Sequence, residues 1–417
     1  MRALFLLVRR SLAQHALSTA ITVGAAALAS GLVMAVFVVE TQTRAAFVTD
    51  DVGFDAVLGA KGSELQLVLN AVYHLETSPG NVPWRLYEQL KNDPRVAMAL
   101  PYAVGDNYKG FRIVGTTPEV FGKLEVRAGE RLAFARGQPF DPMLRGGVLG
   151  SAVAEATGLD VNDTFHAYHG FVFNEAAKHE GAYTVTGVLK PTNTPADRVI
   201  WIPIEGVFRM EGHALRGAGE VYVPKDDEAI PDEHKEVSAV LLKFRGGPLT
   251  GMQIKDSIDR GKEATLAWPV AKSLKELFEK LGWMTRVLRL VAYLVVAVAA
   301  GGIVASLYNT MNERRREFAI LRALGARRGT VFGAIVAEAG AIAALGGLFG
   351  WLVYGVILAT AAFVVRRQTG VAIDVFALHP ALWITPAAMT VLGVLAGTVP
   401  AAKAYATDVV SNLVPTT

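Results

Sequence analysis

Four uncharged apolar runs break up an otherwise mixed pattern of hydrophobic and polar positions: Ala16 to Val39, Leu290 to Tyr308, Ala339 to Val365 and Leu382 to Ala402. At about 1.5 Å of helical rise per residue, each run is long enough to cross a hydrocarbon core roughly 30 Å thick. The pattern predicts four transmembrane helices. Met1 to Ser18 reads as the start of an amphipathic helix carrying Arg2, Arg9 and Arg10. Ala27-Leu28-Ala29 resembles a signal-peptide cleavage site, but the apolar run continues through Gly31 to Phe37, which favours a retained span. The third run exceeds what a straight span needs, and its Gly346, Gly347, Gly350 and Gly355 predict close packing or a bend. Gly346/Gly350 and Gly393/Gly397 have the GxxxG spacing that lets two backbones approach in lipid, so these four are candidate helix-packing positions.

Between the first and second runs the pattern changes to short β-like pieces bounded by Gly, Pro, Asn or Asp: Phe111 to Val114, Gly147 to Leu149, Tyr183 to Val188, Val199 to Ile202, Val221 to Val223 and Ala239 to Phe244. Helical patterns lie at Pro83 to Asn92, Ser151 to Gly158, Pro248 to Arg260 and Lys272 to Leu281, the last running into the second span. Gly59-Ala60-Lys61-Gly62-Ser63 reads as a turn. The predicted fold class is a polytopic α-helical membrane protein with four transmembrane helices and one large extracytoplasmic α+β domain inserted between helices 1 and 2. Its predicted segments are 1–40 (amphipathic helix and first span), 41–280 (α+β domain), 281–311 (second span and its stalk), 312–329 (basic loop helix), 330–365 (third span), 366–381 (short loop) and 382–417 (fourth span and tail).

Composition agrees: 52% of the residues are hydrophobic and 19% charged, with a mean hydropathy of +0.34. A formal charge of +3 is too small to argue for a nucleic-acid partner. The absence of Cys excludes disulfides, thiol catalysis and Cys-based metal centres. Lys and Arg gather before the first span, between the second and third, and at Lys403. Six arginines (Arg314, Arg315, Arg316, Arg322, Arg327, Arg328) in the central loop outweigh Arg366 and Arg367 on the opposite side. The positive-inside rule therefore predicts cytoplasmic termini and an extracytoplasmic large domain, periplasmic in a Gram-negative cell.

No G-x-x-x-x-G-K-[ST], H-E-x-x-H or G-x-S-x-G pattern occurs, so catalytic and cofactor-binding residues are predicted to be none. The strongest signal is Asn312 to Leu324. Phe318, Leu321, Ile320 and Leu324 make an apolar face, the arginines make the other, and Gly325 is placed to end the helix. Such a helix either lies on anionic lipid or docks an apolar ridge into a partner's groove. Glu338 falls on the order of 12 Å beyond the loop by helical rise; a bare carboxylate there is costly, which favours an interfacial position paired with an arginine. His166, His169 and His179, with Asp163, Glu175 and Glu180 nearby, are candidate metal ligands, with solvated loop histidines the alternative.

The stretch ERRREFAILRALGARRGTVFGAIVAEAGAIAALGGLFG resembles the signature of MacB/FtsX-like ABC transporter permeases, which include the Lol-type lipoprotein permeases. Val399 to Asp408 is similar to that family's Pro-ended fourth span and basic tail. Ile113 to Pro118, Gly147 to Ala154 and Gly158 to Thr164 are similar to its core domain. Asn162 replaces a usual Gly, and Val409 stands where Pro often follows Asp. The resemblance implies a non-enzymatic permease subunit that couples cytoplasmic ATP hydrolysis by a separate ATPase to periplasmic domain motion, called mechanotransmission, for export or extraction of an envelope substrate. It implies an ATPase dimer holding the ATP and Mg, a second permease copy, and a periplasmic adaptor or lipoprotein as partners, in a bacterial inner membrane. Glu317, Phe318, Leu321, Arg322, Leu324 and Gly325 are then the expected ATPase-coupling residues. The alternative is an FtsX-like signalling protein that regulates an envelope partner.

Overall fold

The computed structural model describes residues 2–47, 53–127, 129–210, 215–217, 220–222 and 230–406. Among these, the helices are α1 (Arg2–Gln14), α2 (Ala16–Phe47), α3 (Glu64–Ala71), α4 (Trp84–Lys91), α5 (Glu119–Lys123), α6 (Ser151–Thr157), α7 (Ile204–Phe208), α8 (Pro248–Arg260), α9 (Val270–Glu313), α10 (Arg315–Ala323), α11 (Arg328–Thr369) and α12 (Ala381–Ala406). The strands of the main sheet are β1 (Ala56–Ala60), β2 (Val96–Tyr108), β3 (Phe111–Thr116), β4 (Phe134–Gly137), β5 (Gly146–Leu149), β6 (Thr164–His169), β7 (Lys178–Leu189), β8 (Val199–Pro203), β9 (Ala239–Phe244) and β10 (Ala264–Ala267). The chain forms two compact units, one made of Met1–Arg44, Leu281–Phe363 and Asp374–Thr417, the other of Ala45–Lys280 and Val364–Ile373.

The first unit is helical. α2, α9, α11 and α12 each contain a window long and apolar enough to span a membrane, as the four apolar runs require. Ile303 and Leu307 of α9 pack with Val23 of α2 and with Ala339, Ile342 and Ala343 of α11, while Met389 of α12 meets Ala26 and Ala29 of α2. Two helices are much longer than the apolar runs inside them. The 44 residues of α9 and 42 of α11 rise about 66 and 63 Å, against the roughly 30 Å of a hydrocarbon core.

The second unit is an α+β domain built on a ten-stranded mixed sheet in the order β10-β1-β9-β2-β3-β8-β5-β7-β4, with β6 pairing β7 and β2. β3/β8 and β5/β7 run parallel. Successive side chains of a strand point to opposite faces, and here both faces are buried. Leu58, Ile113, Leu149, Ile200 and Leu242 enter one core cluster; their neighbours Val57, Val114, Val148, Trp201 and Leu241 enter the other. That is why these strands read as unbroken apolar runs rather than alternating ones.

Local signals fix the ends of several elements. Ser63 caps α3 by accepting from the Gln66 amide, so Gly59 and Ala60 finish β1 and only Lys61 and Gly62 make the bend, a narrower turn than the sequence suggested. α6 stops at Gly158, left-handed at φ +74°. Asn162 takes φ +75°, a conformation Asn tolerates better than most residues, so it fills the place of the usual Gly. Residues 364–373, read from sequence as the end of a span and a loop, pack with the domain. The Ala372 amide donates to the Asn193 carbonyl at 3.4 Å, and the Arg198 guanidinium donates to the Arg367 carbonyl. Val223 and Val409 lie outside the described residues.

Candidate coupling site

α9 ends at Glu313, and Arg314, at φ −99° and ψ +11°, turns the chain into α10. α10 then stops on a glycine cap. The Gly325 amide donates to the Arg322 carbonyl at 3.0 Å and the Ala326 amide to the Leu321 carbonyl at 3.0 Å, with Gly325 at φ +96°. These two bonds are the Schellman pair, which satisfies carbonyls that a helix end otherwise leaves open.

Helical spacing splits the apolar residues of α10 between two faces, where the sequence reading had put them on one. Phe318 packs against Met311, Val331, Ile335 and Ala401, and with Leu321 lines a crevice beside Leu7 and Val8 of α1. Ile320 and Leu324 point outward, 45% and 80% exposed, next to Glu317 and Arg316. Arg322 is half-buried and Gly325 exposed. The outward surface is therefore Glu317, Ile320 and Leu324, residues i, i+3 and i+7 of one stripe.

Arg314 also departs from the expectation of a solvent-facing arginine. It is 9% exposed and donates through Nη1 to Ser11 Oγ at 2.6 Å, and Ser11 in turn donates to Glu338 Oε1 at 2.6 Å. The guanidinium lies 3.9 Å from Glu338 Oε2, donates through Nε to Glu317 Oε2 at 3.0 Å, and sits over the Phe318 ring at 5.2 Å. Glu338 thus has the arginine partner anticipated for it. The hydroxyl that joins the pair was not anticipated; Ser11 could have been found only as the polar residue three positions after Val8 on the buried side of α1. This clamp ties α1 to both the α9–α10 turn and α11.

The four candidate packing glycines sit at helix crossings. Gly346 and Gly350 face Ala26 and Ser30 of α2, and a methyl group on Gly350 would lie 2.8 Å from Ser30 Cβ. Gly393 and Gly397 of α12 face Ala343 and Ala339 of α11.

The candidate metal histidines are only partly brought together. His169 and His179 meet at Asp106, which the sequence reading missed, whereas His166 turns Nδ1 to the His179 carbonyl at 3.2 Å and stands outside the group. Asp106 escaped notice because it lies in β2, a strand whose Pro101 and Gly105 hide its β pattern.

Two family models match the chain: the MacB-like periplasmic core domain over residues 19–239, more than half of it, and the FtsX-like permease C-terminal over residues 289–409. The chain belongs to the MacB/FtsX-like permease family of ABC transporters. The MacB-like match takes in α2 and most of the sheet domain, and the FtsX-like match takes in α10 to α12 with most of the apolar part of α9. No curated protein sequence matches this MacB/FtsX-like permease. Among solved structures it is similar to the periplasmic region of MacB from Actinobacillus actinomycetemcomitans, with 10% identity over 54% of this chain and 94% of that one and a TM-score of 0.35. It is also similar to the extracellular domain of the noncanonic ABC-type transporter YknZ from Gram-positive bacteria, with 14% identity over 51% of this chain and 98% of that one and a TM-score of 0.30. Neither likeness adds to the assignment, which rests on the sequence models. MacB/FtsX-like permeases work with ABC ATPases, so the kind of partner follows from membership.

Proposed function

We propose that this permease transmits the motion of a separate cytoplasmic ABC ATPase, which holds the ATP and Mg, to its periplasmic core domain, for export or extraction of an envelope substrate. The observation that carries this reading is the split face of α10. Its inner stripe, Phe318 and Leu321, is seated on the chain's own helices, while its outer stripe offers Ile320 and Leu324 with Glu317 beside them. A helix held on one side and apolar on the other suits docking into a partner's groove. The Arg314–Ser11–Glu338 clamp makes it a firm point of application rather than a loop that yields. α9 leaves this turn as one uninterrupted helix back to Val270, a stiff element for carrying a displacement.

In this reading the termini and α10 are cytoplasmic, the membrane is the bacterial inner membrane, and two copies of the permease face two ATPase subunits. A periplasmic adaptor or lipoprotein completes the route. Glu317, Ile320 and Leu324 touch the ATPase; Phe318, Leu321 and Arg322 support them; Gly325 fixes where the helix ends. Because the chain has no cysteine, Leu324→Cys provides a single attachment point. A short thiol-to-amine crosslinker is expected to join this variant to its co-purified ATPase, with a Leu348→Cys control on the apolar surface of α11 remaining uncrosslinked. Equal crosslinking at the two positions, or none at Leu324→Cys in a complex that still co-purifies, would overturn the assignment of this surface.

A further inference from the structure

Three neighbouring strands bring Asp106, His169 and His179 to one point in the core domain. β2 and β6 are antiparallel with Asp106 opposite His169, and β6 pairs with β7 so that Tyr168 faces Lys178, one residue before His179. Asp106 Oδ1 lies 3.3 Å from His169 Nδ1 and 3.2 Å from His179 Nε2, and the ligand atoms of all three residues fall within 4.8 Å of one another. Zinc bonds to nitrogen and oxygen are about 2.0–2.1 Å, so the corners of a tetrahedral zinc site stand roughly 3.3 Å apart. Two edges of the triangle already have that length.

The surroundings hold the three side chains in place. The Asn107 side chain donates through Nδ2 to the Tyr168 and Gly170 carbonyls at 3.3 and 2.9 Å, and the Gly170 backbone amide donates to the Gly105 carbonyl at 2.8 Å, which pins the backbone on both sides of His169. Supporting contacts of this kind set the orientation of metal-binding side chains. Asp106 and His179 are buried, while the His169 side chain is 56% exposed, which leaves a solvent route to the point where the three converge.

We propose that Asp106, His169 and His179 hold a divalent cation of the zinc class, with solvent completing its coordination, and that the ion ties β2, β6 and β7 together. Two borderline imidazoles with one hard carboxylate make a donor set that zinc accepts, and at such a site zinc binds ahead of manganese and iron(II) in the usual affinity order, so zinc is the probe. The proposal is independent of the coupling assignment, because it concerns the core domain alone.

The test uses the full-length chain in detergent, purified without a polyhistidine tag and stripped with chelator. It is dialysed against buffered free zinc, and bound metal is measured by plasma mass spectrometry. One zinc per chain is expected, with affinity at least about tenfold weaker in His169→Ala and unchanged in His166→Ala. Zinc is also expected to raise the thermal midpoint of the parent chain and not that of His169→Ala. Cobalt(II) added in place of zinc is expected to give the visible bands of a four-coordinate site, lost in the same variant. His169 is exposed, so this variant folds whether or not the ion exists, and an unchanged elution profile checks it. No zinc above the His169→Ala level, or equal binding in the two proteins, would mean that the trio is only a hydrogen-bonded His–Asp–His cluster and would overturn the proposal.

Discussion

Breaking the Arg314–Glu338 pair from either side and then from both distinguishes a working clamp from a crowd of polar groups. Arg314, Glu338 and Ser11 are 9%, 8% and 1% exposed, so a charge left there alone finds little water. Arg314→Met strands the Glu338 carboxylate with one hydroxyl donor; Glu338→Gln leaves the guanidinium, among the described residues, with the half-exposed Glu317 as its counter-charge. Removing one partner of a buried ion pair costs about 3–5 kcal/mol. The double variant strands neither charge, and Gln still accepts the Ser11 hydroxyl, so its loss is expected to be only about 1–2 kcal/mol, the worth of one or two hydrogen bonds. The interaction energy of the cycle is then at least about 4 kcal/mol, well above the scatter of independent sites. Reversible unfolding in mixed micelles, followed by tryptophan fluorescence, measures all four corners. A double variant that loses the sum of the two single losses would refute the coupling and with it the picture of α1 clamped to the α9–α10 turn.

Gly350→Leu drives a side chain into Ser30 and is expected to abolish monodisperse protein on size exclusion, whereas Gly355→Leu on the same helix, where a Cβ meets nothing within 4 Å, is expected to behave like the parent; similar profiles for the two would refute the crossing. Gly325→Ala places a Cβ on a residue at φ +96°, costing about 1–2 kcal/mol, so faster hydrogen exchange of the Gly325 and Ala326 amides is expected, and unchanged exchange counts against the cap. His74 is half-buried, with its Nδ1 enclosed and without a hydrogen-bond partner, and desolvation first, then the charge of Arg112, pushes its imidazole down to about 3. Its folded pKa lies below the unfolded value near 6.5, so between those values the unfolded chain binds more protons. Stability is full above pH 6.5 and falls as pH drops, by about 2 kcal/mol at pH 5. His74→Asn, which suits the local φ of +56°, is expected to remove that part of the acid sensitivity; an identical pH profile of thermal midpoints would refute it.

The spans were legible because hydrocarbon tolerates so few alternatives. A run such as Leu290 to Tyr308 has one physical reading, and the helical pattern at Lys272 to Leu281 that runs into it marks the continuation of α9 to within two residues of its start at Val270. In the domain, Ala239 to Phe244 and Pro248 to Arg260 were found with their observed ends because Gly246 and Gly247 punctuate them. β2 escaped, since Pro101 and Gly105 weaken its local signal and only pairing with β3 and β9 makes it a strand. At the candidate coupling site Gly325 was plain from its place after an apolar stripe. The division of that stripe was not, because a nine-residue helix packs according to where α1 and α11 lie. Ser11 and Glu338 are 327 residues apart, and no periodicity links them.

The sheet buried on both sides limits how anything outside can recognise this domain. A β-sheet normally keeps one face with which to cradle a peptide or an acyl chain; here α-helices and loops cover both. Recognition therefore falls to projecting parts of the domain: Met143 and Leu144 between β4 and β5, Val172 between β6 and β7, and Leu249 and Met252 on α8, all exposed apolar side chains. These positions contribute little to the core, so substitutions there leave the scaffold beneath them unchanged.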